Sequence, residues 1–318
     1  MSLLTIRDLS SEPGDYGEAG LNGLDLTLEP GGRLALIGEH GSGLLSLPAL
    51  LQGTPEAGKR ITSGEIRFES QETGPATPAK INRQGLRGLT CLPRDLGAGF
   101  DPQRRIGPQM VLAIRRRCRM SARDAERTAL NLLDRYGVAN PAHVCERRPE
   151  QLDPAEIWRA GLAIALASEP ILLIAAPFTG LDTVRLASIW ALIGRQCMDH
   201  GTALLLLTPN LAEAAEMAEL GAVLYAGRVI EEGAVRDLID HPRHPYTAAL
   251  AAAMPERARL GQSLPELPGS APNGQTLPRG CAFHPRCASA LAGCYLEMPE
   301  MTREQSHRYA CFWPQGQE

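Results

Sequence analysis

The stretch Arg33-Leu34-Ala35-Leu36-Ile37-Gly38-Glu39-His40-Gly41-Ser42-Gly43-Leu44-Leu45-Ser46 decides the fold. A short apolar strand runs into a glycine-rich turn, and an apolar helix is expected from Leu44 to about Gln52. Strand, glycine loop, helix is the layout of a phosphate-binding loop, in which main-chain N–H groups wrap an anion. Without a ligand the same segment reads as a tight strand–helix turn, and both readings stand at this point.

Outward from the loop, the rhythm is that of an α/β domain. Leu24-Asp25-Leu26-Thr27-Leu28 alternates with period two, and Glu29-Pro30-Gly31-Gly32 turns the chain into the glycine-loop strand. Ile171 to Ala175 and Thr202 to Thr208 are apolar runs of the kind that suits strands covered on both faces. Between them Thr183 to Asp199 reads as helix. From about Pro102 to Ala167 the pattern is helical, with one helix opened by Ser121 as N-cap and another within 150–167. After residue 236 the chain becomes proline-rich, carries His241-Pro242-Arg243-His244-Pro245-Tyr246, and ends in a cluster of cysteines, which reads as a small module of its own.

The chain has 318 residues, enough to bury about three quarters of its unfolded surface. Charged residues make up 21% and the net charge is −4, which excludes a disordered tail and a polybasic nucleic-acid binder. The only lysines are Lys59 and Lys80. Met1 to Leu9 reads as a strand rather than a basic segment followed by a long apolar run, so no secretory signal is expected. The longest apolar stretch, 160–177, is broken by Ser168-Glu169-Pro170, so no membrane-spanning helix is expected either. Eight cysteines fall into two sets. Cys91, Cys118, Cys145 and Cys197 are scattered and read as ordinary buried residues. Cys281, Cys287, Cys294 and Cys311 have the spacing C-x5-C-x6-C-x16-C, and four thiolates suit a [4Fe–4S] cluster or a structural zinc.

Three features together resemble the nucleotide-binding subunits of ABC transporters, in the oligopeptide/dipeptide importer branch. One is the loop Gly38-Glu39-His40-Gly41-Ser42-Gly43; another is the block from Glu169 to Asp182. The third is His244-Pro245-Tyr246-Thr247-Ala248-Ala249-Leu250 with Pro255, followed by Leu277 through Cys287. The resemblance covers nearly the whole chain. It implies a P-loop NTPase-type ABC nucleotide-binding domain over residues 1–235, with a helical subdomain at about 102–167. A C-terminal extension over residues 236–318 follows. By the same resemblance the four cysteines favour a structural iron–sulfur cluster over zinc.

The departures from the family pattern fall at its catalytic positions. Leu44 and Leu45 stand where a lysine should reach the β/γ-phosphates and a hydroxyl should ligate Mg²⁺. Ser46 comes one residue late. Each lost charge-assisted contact costs roughly 1.5–3 kcal/mol. Aligned on Pro177 and Asp182, Ala175 and Ala176 replace the metal-supporting aspartate and the glutamate that activates water, whose loss alone costs about 10²–10⁴ in rate. Arg94 replaces the glutamine that senses the γ-phosphate, and Pro209 replaces the switch histidine. The signature loop reads Leu152-Asp153-Pro154-Ala155-Glu156. Asp153 there opposes a partner's γ-phosphate by about 4 kcal/mol for like charges about 4 Å apart. It also reads as an N-cap with Pro154 at the first helical position, which is compatible with lost catalysis. Gly38, Gly41, Ser42 and Gly43 keep the means to wrap a phosphate, and Tyr16 stands at about the spacing of the family's adenine-stacking aromatic.

The expectation is therefore a degenerate ATP-binding subunit of a peptide transporter, an importer by resemblance. It would bind ATP weakly or not at all and be impaired or inactive as an ATPase. Its expected partners are a second, ATP-competent subunit and transmembrane permease subunits, with no nucleic acid. The expected location is peripheral, on the cytoplasmic face of the bacterial inner membrane. The alternative is a scaffold or regulator that binds no nucleotide.

Overall fold

The computed structural model describes residues 2–13, 19–53, 60–68, 86, 88–176, 178–257, 265–272 and 277–316. They divide into two compact units, residues 1–87 with 204–318, and residues 88–203.

The first unit opens with β1 (Leu4–Ser11), β2 (Leu24–Leu28), β3 (Arg33–Ile37), α1 (Ser46–Gln52) and β4 (Ile61–Phe68). β1 lies between β2 and β4 in an antiparallel sheet, with Ile6 opposite Leu26 on one side and Ile66 on the other. The period-two pattern of β2 is realised: Leu24, Leu26 and Leu28 are buried while Asp25 and Thr27 are exposed. Period-two alternation suits a sheet with one covered face.

The second unit holds β5 (Leu89–Leu92), α2 (Ile106–Cys118), α3 (Ala122–Arg135), α4 (Pro141–Glu146), α5 (Pro154–Leu166), β6 (Leu172–Ala175) and α6 (Thr183–His200). β5 and β6 pair in parallel, with Leu92 opposite Ala175. α3 opens on the expected cap: the Ser121 hydroxyl accepts from the Asp124 N–H at 3.1 Å. Its apolar stripe Ala125, Ala129, Leu132 and Leu133 is buried. α5 packs closely through Gly161, where a Cβ would stand 2.3 Å from the Leu96 carbonyl oxygen.

The chain returns to the first unit along β7 (Ala203–Thr208), α7 (Leu211–Met217), β8 (Leu220–Tyr225), β9 (Arg228–Ala234), α8 (Val235–Asp240) and α9 (Pro245–Ala252). It finishes with the hairpin β10 (Thr302–Glu304) and β11 (His307–Tyr309). β3 pairs in parallel with both β7 and β8, and residues 204–208 and 34–37 are buried. Fully apolar strands are what a parallel core requires, because both faces are covered. β9 turns back on β8 through Ala226 and Gly227, both at positive φ, as a tight hairpin demands.

The tail is integrated into this unit. β11 adds to β9, with Tyr309 opposite Glu231. Glu231 is fully buried. Its carboxylate accepts from the N–H groups of Arg243 at 2.6 Å and His244 at 2.8 Å, and lies 2.7 Å from His307 Nε2. His244 caps α9, its Nδ1 accepting from the Tyr246 N–H at 3.0 Å. Burial pushes its imidazole down to about 4, so at neutral pH the ring is neutral and Nδ1 is free to accept.

Of the four scattered cysteines only Cys197 is buried; Cys91, Cys118 and Cys145 are partly exposed. The Cys118 thiol sits at the end of α2 and donates to the Ala167 carbonyl at 3.3 Å. None of the eight cysteines is in a disulfide. No helix among the described residues is long and apolar enough to cross a membrane.

Candidate functional site

The glycine loop leaves β3 at Gly38, whose N–H donates to the Thr208 carbonyl at 3.2 Å. A Cβ on Gly38 would stand 2.6 Å from the Ser42 hydroxyl. Gly41 and Gly43 adopt φ of +86° and +94°, a region that side chains with a Cβ rarely enter. Ala19 donates its N–H to the Gly41 carbonyl at 3.2 Å, and Gly227 donates to the Ser42 carbonyl at 2.8 Å. The loop is thus wedged between residue 19 and the β8–β9 hairpin tip. The buried Ser42 hydroxyl has no hydrogen-bond partner among the described residues.

Leu44, expected from the resemblance at the position of the family lysine, is 4% exposed, and Leu45 is half-buried. Ser46 is buried and donates its hydroxyl to the Ala19 carbonyl at 3.3 Å. The late serine therefore faces segment 19 and is already occupied. Tyr16 lies outside the described residues, as does Pro177.

Sequence reasoning passed over Glu39. Its N–H donates to the Tyr246 hydroxyl at 3.0 Å. Its carboxylate receives Arg286 through both terminal nitrogens, at 2.5 and 3.3 Å. Arg286 also donates to the Pro268 carbonyl at 2.8 Å and the Tyr225 hydroxyl at 3.3 Å. Its guanidinium carbon lies 5.9 Å from the ring centres of Tyr225 and Phe283. Burial pushes the Tyr225 and Tyr246 phenols up, so both accept these bonds as neutral hydroxyls at neutral pH. The sequence marks that could have flagged these residues, Tyr246 and Arg286, lie in the tail motifs themselves.

In the second unit Asp153 is the N-cap of α5. Its carboxylate accepts from the Ala155 N–H at 2.7 Å, and Glu156 accepts from the Asp153 N–H at 3.1 Å. Pro154 takes the first helical position, where its missing N–H costs nothing. Arg185, also passed over, donates to Asp153 at 3.0 Å and pairs with Asp182, the cap of α6. The Ala155 N–H and then Arg185 hold the Asp153 carboxyl below the usual carboxylate range. The Asp153 charge is thus partly neutralised in place, and the full like-charge opposition expected of a lone Asp153 is reduced.

Ala175 is fully buried at the end of β6 and Ala176 is 8% exposed; neither offers a polar side-chain atom. The Arg94 carbonyl accepts from the Thr179 N–H at 2.9 Å. Asp95 accepts from the N–H groups of Gly97 and Ala98, at 2.8 and 3.2 Å. Pro209 is exposed, and after it Asn210 caps α7 by accepting from Ala212 at 2.9 Å.

Cys281, Cys287, Cys294 and Cys311 line one cavity of about 10 Å³ together with Phe283, Phe312 and Trp313. Burial pushes the thiols of Cys281, Cys287 and Cys311 up, the last to about 11, while the N–H groups of Phe283, Ser289 and Trp313 oppose this at the respective sulfurs. The donor chemistry suits a thiolate-held group. The space is that of about one water, however. Among the described residues no three metal-ligating side chains stand so as to hold an ion.

Comparison with known proteins places these features. The ABC transporter family profile matches residues 21–175, and the oligopeptide/dipeptide transporter C-terminal region matches residues 230–294. The Escherichia coli protein named "Probable D,D-dipeptide transport ATP-binding protein DdpD" is 32% identical over 96% of this chain and 94% of its own. The E. coli oligopeptide transport ATP-binding protein OppD is 30% identical over 98% and 94%. Among solved structures, cbiO1 of Clostridium perfringens, part of the ABC transporter complex cbiONQ, matches with a TM-score of 0.60. It covers 76% of this chain and 91% of that one at 18% identity, a likeness of fold. With nearly full-length relatives and both regions matched in order, this chain belongs to the ATP-binding subunits of ABC transporters, in the oligopeptide/dipeptide branch.

Proposed function

We propose that the chain is a degenerate ATP-binding subunit of a peptide ABC importer. It completes a nucleotide-binding dimer with an ATP-competent subunit and transmits closure to membrane permease subunits through residues of its helical region, about 102–167. Its place would be peripheral, on the cytoplasmic face of the inner membrane. The observation that carries this reading is Leu44. In a chain of this family, the position that should present a phosphate-binding lysine presents a buried aliphatic side chain. Ala175, Ala176, Arg94 and Pro209 support it, since none places a carboxylate, amide or imidazole where the family pattern calls for one. Gly38, Gly41, Ser42, Gly43 and Tyr16 would hold nucleotide weakly.

The test is co-purification from the native host followed by ATPase assay of the complex. The expected result is a complex containing permease and a second ATP-binding subunit, with turnover abolished by altering the partner's catalytic glutamate and unaffected by Ala176→Ser. A chain that purifies with neither partner defeats the proposal.

A second reading is favoured by the occupied loop. The N–H groups of Gly38, Glu39, Ser42 and Ser46 are all bonded within the protein, which supports a scaffold that binds no nucleotide. Equilibrium binding of ATP to the purified chain separates the two: saturable binding below millimolar supports the first, none at millimolar the second. We also propose that the four tail cysteines hold a [4Fe–4S] cluster, with zinc the alternative. The four thiols lining one cavity support this, and the cavity would have to widen beyond its one-water volume to take the cluster. Anaerobic purification with iron, sulfide and zinc analysis decides it, and a chain carrying none of the three overturns it.

A further inference from the structure

Glu39 is the one carboxylate in the glycine loop, and two separate groups of the tail hold it. The Arg286 side chain is 5% exposed and that of Glu39 25%, and the two residues are 247 positions apart. A two-pronged guanidinium–carboxylate contact fixes the plane of the carboxylate as well as its charge. The tyrosine bond fixes the main chain of the same residue. Around them Tyr225, Tyr246 and Phe283 stack edge to face, with ring centres 4.7 to 5.4 Å apart. Rings so packed cannot shift singly.

We infer that Arg286, seconded by Tyr246, is a positioning residue for the glycine loop: the tail holds the loop in its wrapped shape and keeps the Glu39 carboxylate neutralised and turned away from any phosphate the loop takes. The inference rests on the proposed reading only for its effect on nucleotide; the clamp itself is built from this chain's own residues. Without Arg286 the half-buried carboxylate would be an anion beside the loop without its cationic partner. It would swing outward, take the loop with it, and oppose a polyphosphate. Removing both charges relieves this, because two neutral partners of similar shape leave nothing uncompensated.

The test uses the full chain and the variants Arg286→Gln, Glu39→Gln, the double variant, Tyr246→Phe, and Arg308→Gln as a control that breaks a different tail ion pair, with Glu232. Hydrogen exchange of the peptide covering residues 38–46, without nucleotide, reads the clamp. Arg286→Gln should exchange about tenfold faster, as expected from losing ~1.4 kcal/mol of protection. The double variant should return most of the way, Tyr246→Phe should show a smaller rise, and Arg308→Gln should match the unaltered chain. Arg286→Gln exchanging like the unaltered chain overturns the inference. So does a double variant as fast as Arg286→Gln, since a merely structural tail contact would not be rescued by removing the opposing charge. Fluorescent-ATP titration then gives the nucleotide effect: Arg286→Gln about tenfold weaker and the double variant restored. An unaltered chain that binds no ATP defeats nucleotide holding in the proposed function and leaves the exchange result to decide the clamp. If Arg286→Gln fails to fold, Tyr246→Phe alone decides, and no rise in loop exchange overturns the inference.

Discussion

At the scale of single residues the proposed reading turns first on Leu44. An ammonium at this 4% exposed position would be buried without a partner in the apo chain. Leu44→Lys is therefore expected to destabilise by on the order of 2 kcal/mol, read as a lower midpoint in urea. ATP should recover part of that loss if the loop accepts phosphate, and recovery by adenosine equal to that by ATP would contradict a phosphate contact. Asp153 and Arg185 act together at this scale. Asp153→Ala removes the α5 cap at a cost of about 1 kcal/mol. Because hydrogen bonds hold the Asp153 and Asp182 carboxyls below their ordinary range, the unfolded chain binds more protons than the folded one as acid is added. Their contribution is complete above the usual carboxylate range and is lost as pH falls through the lowered folded values. Urea midpoints measured between pH 6 and 2 should fall more steeply for the native chain than for Asp153→Asn; equal slopes would remove the effect.

At the scale of elements, the helices and strands are set by local pattern and the tail by long-range pairing. α3, α5 and α6 start where Ser121, Asp153 and Asp182 supply caps, and β6 and β7 fall where the apolar runs lie. The cap role of Asp182 was not read from the sequence, where the residue served to align the family block. β11 is different: nothing in His307-Arg308-Tyr309 announces a strand, and it forms because the edge of β9 offers unpaired N–H and C=O groups. Truncation after Glu300 is expected to reopen that edge and leave Glu231 without His307. The truncated chain should elute as soluble aggregate in size-exclusion chromatography, whereas a monomer of native melting temperature would show the hairpin to be dispensable.

For the molecule as a whole, the proposed degeneracy involves both compact units, with Leu44 and Leu45 in one and Ala175 and Ala176 in the other. Restoring one unit alone should add nothing. Leu44→Lys, Leu45→Ser, Ala175→Asp and Ala176→Glu together should raise ATPase activity of the assembled complex at least tenfold, by restoring the general base and phosphate contacts. No increase in a complex that still assembles would count against the degenerate reading.

The residues alone determined the α/β class and the glycine loop, and the family they resemble gave the branch. The class and the loop depend on spacing and periodicity within short windows, and a window needs no knowledge of topology. Only the tertiary structure decided what became of the loop. Leu44 turns inward, Ser46 is spent on Ala19, and Glu39 is held from 247 positions away by Arg286. It also joined the cysteines around one cavity and set Arg185 between two aspartates. Such pairings arise because parallel strands and the returning tail bring distant segments side by side. Which charge then meets which is fixed by the geometry of burial, where an unpaired ion is too costly to leave.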